Sequence, residues 1–259
     1  MAFVTVGSRR LEYERIGGAA GRRTLVFLHE GLGSVATWKD FPARVAAATG
    51  CEALAYSRAG YGRSDPAVQP RPVTYMHDEA LVTLPELLDA LAVPRPVLVG
   101  HSDGASIALV HAAASGREVA GLVLMAPHVM VEDLSVRSIA AAKVAYETTD
   151  LRSKLARYHA DVDGAFWGWN RIWLDPAFRR WDIREYLPRV RCPVLAIQGE
   201  DDEYGTMEQV ERLRAAVRGA EVLKLARCGH SPHRDQPDAT LAAIARFVER
   251  LPAGPAAPA

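Results

Sequence analysis

A serine stands between two glycines in Gly100-His101-Ser102-Asp103-Gly104, after the aliphatic run Val97-Leu98-Val99 and before the helix-like stretch Ile107–Ala114. Gly-x-Ser-x-Gly between a strand and a helix is the spacing of a nucleophile elbow, in which the serine occupies a strained turn. Glycine is needed on either side because a side chain there would crowd the tight backbone. A serine hydroxyl is a weak nucleophile until a base takes its proton, and that base needs a carboxylate to orient it. With this elbow the partners follow in the order Ser, Asp/Glu, His. Downstream lie an acidic turn, Gln198-Gly199-Glu200-Asp201-Asp202-Glu203, and the stretch Cys228-Gly229-His230-Ser231-Pro232-His233. Each follows a strand-like run, so both fall on the sheet edge that carries Ser102. His230 is the expected base, oriented by an acid from the cluster. The tetrahedral intermediate also needs backbone donors for its oxyanion. One is the N–H of Asp103 at a helix start, and the other should come from the loop after His29.

These residues need a frame that brings them together. Residues 2–6 and 10–16 alternate apolar and polar and predict a strand pair. Thr24–His29 is nearly continuous apolar sequence, as in a strand buried on both faces of a parallel sheet. A helix over 38–48, a strand over 51–57 and a loop over 58–72 follow. A helix over 75–91 is then marked by Leu81, Leu84, Leu87, Leu88 and Leu91. Beyond the elbow, strands are expected at 120–125, 193–197 and 221–225, with helices at 205–217 and 236–250. The alternation implies an α/β fold with a mostly parallel central sheet flanked by helices. It stops between Pro127 and Pro188, where about sixty residues carry four of the five tryptophans, Trp167, Trp169, Trp173 and Trp181. That is too long for a bare loop, and predicts a helical cap inserted over the strand ends. The expected organisation is a core of 1–126 and 189–251, a cap of 127–188 and a flexible tail of 252–259.

Composition excludes several classes. The 259 residues carry 31 basic and 31 acidic side chains, so nothing suggests nucleic acid or an anionic membrane as partner. No run is long and apolar enough to span a bilayer, and the first ten residues lack a basic-then-apolar signal. Three scattered cysteines fit a reduced, cytoplasmic protein without disulfides. Neither metal-ligand spacing nor a phosphate-binding glycine loop occurs, so neither metal nor cofactor is expected. Arg58–Ser64 is expected to fix loops, His101 to pack the elbow, and Cys228 to pack its loop. Asp201 and Glu203 are expected in solvent, and His233 at the surface or behind the site.

Across nearly its whole length the sequence resembles the α/β-hydrolase family. The resemblance implies Asp202, fourth in the Gly-x-x-Asp turn, as the acid, and His230, after Gly229, as the base. His29-Glu30-Gly31 followed by Trp38 keeps the family's histidine-to-tryptophan spacing. This makes Gly31 the second oxyanion donor, with Leu32 next, while Glu30 replaces the usual glycine. Asp103 and the stretch Glu185–Pro193 resemble the biphenyl hydrolase-like branch, in which the matching aspartate binds the α-amino group of amino-acid esters. Asp103 and Glu30 are thus candidate substrate contacts, together with Trp167 and Trp169, in a hydrolase of small esters, lactones or thioesters. The same elbow and partners serve carbon–carbon bond hydrolases of aromatic ring-fission products, and some relatives are small-molecule receptors.

Overall fold

The computed structural model describes residues 1–18 and 23–252. The residues expected as a tail fall, Pro252 apart, outside the described residues. Eight strands form one sheet: β1 (Ala2–Val6), β2 (Arg9–Ile16), β3 (Thr24–Leu28), β4 (Glu52–Tyr56), β5 (Val97–His101), β6 (Gly121–Met125), β7 (Val194–Gly199) and β8 (Glu221–Leu225). Their spatial order is β1-β2-β4-β3-β5-β6-β7-β8. β2 pairs antiparallel with β1 and β4, and every pairing from β4 to β8 is parallel.

The apolar runs become central strands because both of their faces are covered. Along β3, Leu25 and Phe27 point to one face, into a core shared with α1 (Phe41–Thr49) and Phe247. Val26 and Leu28 point to the other face, toward Leu84, Leu87 and Ile107. Such period-two partition of an unbroken hydrophobic run is what a doubly covered parallel strand requires. The expected helix over 75–91 is divided into α2 (Tyr75–Asp78), one π-helical turn (Glu79–Thr83) and α3 (Leu84–Ala90). The elbow helix α4 (Asp103–Ala114) is buried from Asp103 to His111, which explains why its sequence lacks a polar face.

Between β6 and β7 come α5 (Asp133–Thr148), α6 (Leu151–Leu155), α7 (Val162–Trp173) and two 3-10 turns, Phe178–Arg180 and Arg184–Arg189. α7 is strongly amphipathic, and its buried face stacks Phe166 on Tyr146 with ring centroids 3.7 Å apart. The chain closes with α8 (Glu208–Ala216), α9 (Pro232–Asp235) and α10 (Pro237–Arg250). No described helix is long and apolar enough to cross a membrane.

Candidate active site

Ser102 follows β5 directly and adopts φ 53°, ψ −120°, a conformation that side-chain-bearing residues rarely take. The packing around it explains both glycines. A Cβ on Gly104 would lie 2.0 Å from the Leu28 carbonyl oxygen, and one on Gly100 would lie 2.5 Å from the Ala105 Cα. β5 and α4 therefore approach β3 closely enough to hold Ser102 in its turn.

The two downstream stretches meet this serine. His230 Nε2 is 2.9 Å from Ser102 Oγ, where the hydroxyl can donate to it. His230 Nδ1 is 2.9 Å from each carboxylate oxygen of Asp202. Asp202 is buried and accepts further bonds from the Tyr204 and Gly205 N–H groups and from Gln198 Nε2. Burial alone would raise its pKa, but the bond and charge of His230 and the backbone donors hold it below the usual carboxylate range. His230 shows the mirror balance: burial works against its charged form, yet Asp202 outweighs it and raises the imidazole pKa. Neighbouring Asp201 is exposed.

The loop after β3 is held from beneath. Arg58 is 3% exposed, and its guanidinium donates to the carbonyls of His29 and Glu30. Its backbone N–H donates to His29 Nε2 at 3.0 Å. Around the same bend Ser64 Oγ donates to the Ser57 carbonyl, and Gly62 N–H to His159 Nδ1. Arg58–Ser64 thus ties loops together, as expected. Gly31 is covered by α7, where a Cβ on it would lie 2.2 Å from Trp169 Nε1. Asp103 begins α4, so its N–H has no intrahelical acceptor, and no described carbonyl takes it.

A cavity of about 330 Å³ opens over Ser102 and His230 and is also lined by Glu30, Gly31, Leu32, Asp103 and Trp169. Trp167 lies elsewhere, a correction to the expectation from sequence. It lines a separate outer depression with Lys143, Glu147 and Arg171. Trp173 lines the cavity instead, because residues four apart share a helix face with Trp169 while Trp167 does not. That spacing was present in the sequence. His128, Tyr158 and Tyr204 also line the cavity, and no local pattern announced them. His128 packs edge-on to Trp173, and burial pushes its pKa down to about 3, so it stays neutral.

The remaining expectations divide. His233 is buried against Trp38 and Phe41, with ring centroids 5.0 and 5.4 Å away, and is not a surface residue. Glu203 is exposed but not idle, since its Oε2 accepts the His230 N–H at 3.1 Å. His101 donates from Nε2 to the His230 carbonyl at 2.7 Å, and its Nδ1 is 3.5 Å from Glu30 Oε2. Burial would raise the pKa of Glu30, but His101 overrides it and keeps the carboxylate ionised. Asp103 is 1% exposed, and its Oδ2 accepts the Tyr75 hydroxyl at 2.7 Å. Burial raises its pKa, opposed by Arg58, Tyr75 and Arg71, while Oδ1 has no hydrogen bond.

A buried carboxylate, an imidazole and a serine thus stand in line at the carboxyl edge of the parallel sheet. Residues 25–243 match the profile of the alpha/beta hydrolase family, and the chain belongs to that family. It is 25% identical to the 2-hydroxy-6-oxononadienedioate/2-hydroxy-6-oxononatrienedioate hydrolase of Paraburkholderia xenovorans, over 86% of this chain and 85% of that one. It is 30% identical to the non-heme chloroperoxidase of Streptomyces lividans, over 67% of this chain and 71% of that one. Among solved structures it is similar to the enol-lactonase from Burkholderia xenovorans LB400, with a TM-score of 0.75 at 20% identity, covering 96% of this chain and all of that one.

Proposed function

We propose that this hydrolase cleaves a small carboxylic ester, lactone or thioester through an acyl-enzyme on Ser102. The observation that carries the reading is His230, with one ring nitrogen 2.9 Å from Ser102 Oγ and the other 2.9 Å from Asp202. Ser102 Oγ attacks the acyl carbon as its proton passes to His230 Nε2. Asp202 stabilises the resulting imidazolium, and the proton is returned to the leaving group. The N–H groups of Gly31 and Asp103 hold the oxyanion, and water then attacks the acyl-enzyme with His230 again as base. In this reading the small-molecule substrate lies under residues 127–188 acting as a cap on a core of 1–126 and 189–251. The reaction needs no cofactor and takes place in the reducing cytoplasm.

The test is labelling by a fluorophosphonate probe followed by a panel of esters, lactones and thioesters. Stoichiometric labelling that Ser102→Ala abolishes, with turnover of at least one class, is the expected result. A folded protein that neither labels nor turns over any of them would overturn the hydrolytic reading in favour of a receptor. A second reading, carbon–carbon bond hydrolysis, is favoured by the name of the Paraburkholderia relative. Turnover of a vinylogous diketone ring-fission product well above that of simple esters would select it. A preference for α-amino esters rests on the free Oδ1 of Asp103. If it holds, Asp103→Asn abolishes the advantage of an α-amino ester over its des-amino analogue.

A further inference from the structure

Lys39 shares an unusual backbone with the serine. Its φ of 53° and ψ of −127° nearly repeat the 53° and −120° of Ser102. A side-chain-bearing residue is strained there, and glycine would relieve the strain. For Ser102 the elbow explains the conformation. Lys39 closes a single 3-10 turn (Val35–Trp38) with its N–H donated to the Ala36 carbonyl at 3.3 Å, a bond that glycine would keep without the strain. Lys39 also lines the cavity over Ser102, as does Arg234 of α9, and both residues are exposed.

The charges on the cavity wall are not equally available. Glu30 is engaged by His101, Glu203 accepts the His230 N–H, and Asp103 is bonded by Tyr75 and faces Arg58 and Arg71. Lys39 and Arg234, by contrast, form no salt bridge with any described residue. At its exposed side the cavity therefore offers an incoming ligand two cations that no described carboxylate pairs, Lys39 and Arg234, alongside the exposed carboxylate of Glu203. Being exposed, these cations attract an anion in a way that salt screens.

We propose that Lys39 and Arg234 form a subsite for an anionic group on the substrate, carried at the end remote from the scissile bond. The substrate class becomes a small acyl compound bearing a carboxylate or a phosphate at that far end. This rests on the reading of Ser102 as nucleophile, and the two can fail separately.

Binding is tested without turnover, by calorimetry of adipate, hexyl phosphate and neutral hexanediol with Ser102→Ala protein. The expected result is that one anion binds and hexanediol does not, and that Lys39→Gly and Arg234→Gln each weaken it about tenfold. Whichever of adipate and hexyl phosphate binds more tightly identifies the anion. Turnover is tested with mono-p-nitrophenyl adipate against its neutral methyl ester. Wild type should favour the anionic ester in kcat/KM by about tenfold at low salt, and the preference should shrink in Lys39→Gly, in Arg234→Gln and at high salt. Lys39→Gly should also raise Tm, because it removes strain together with the amine. Equal loss on both esters, or anion binding indifferent to both substitutions, would overturn the subsite. Failure of both esters to turn over, with adipate binding intact, would instead count against the nucleophile reading alone.

Discussion

Each polar group at Ser102 is placed by another that fixes its charge. Asp202 keeps the His230 imidazole more basic than a free histidine, and only the neutral imidazole can accept the serine proton. The fraction of neutral base grows as pH rises through that pKa. The pH profile of kcat/KM should therefore climb with a midpoint above about 6.5. In Asp202→Asn the support is gone, so the midpoint should move down in pH and kcat should fall by about 10⁴. A steady-state profile over that range checks both. The glycines are open to a different test. Gly104→Ala puts a methyl 2.0 Å from a backbone oxygen that cannot swing aside. It should destabilise the fold by about 3 kcal/mol or more in denaturant titration, with loss of activity following loss of fold.

Elements meet at the site in ways that single residues do not disclose. The loop after β3 is pinned below by Arg58 and covered above by Trp169 of α7. Gly31→Ala must push the Trp169 ring away, so kcat should drop by roughly tenfold or more as the donor shifts. Trp169→Ala should return much of that loss when combined with Gly31→Ala. A double-mutant cycle in kcat measures the coupling, and strictly additive effects would show that α7 does not press on the loop. In the proposed acyl-enzyme mechanism the oxyanion loop thus depends on a helix that begins some sixty residues after Ser102.

For the whole molecule, stability comes from a sheet buried on both faces. Leu54 on β4 is fully buried, and its truncation to alanine should cost about 2–5 kcal/mol. Val82 is 55% exposed, and the same truncation there should stay within about 0.5 kcal/mol. Chemical denaturation of the two variants compares them directly.

Much of this was legible in the chain itself. Continuous apolar runs on either side of helical periods specify doubly covered parallel strands, because only that arrangement buries both faces of each run. That the serine, the acidic turn and the histidine share one edge follows from the same pattern, since parallel strands present all their carboxyl ends there. Sequence also narrowed the acid to one turn, and burial with four hydrogen-bonding partners distinguishes Asp202 from exposed Asp201. The four-residue spacing of Trp169 and Trp173 was in the sequence, but which face of α7 covers the cavity came only from its packing. Nor could the sequence say what the charges near Ser102 are free to do. Asp103 and Glu30 read as anions awaiting a cation, yet folding brings Tyr75, Arg58 and His101 to them across long sequence separations. The charge of a side chain is written in the sequence. Whether that charge is already answered depends on which distant residues packing brings within a few ångströms, and only the tertiary structure decided that.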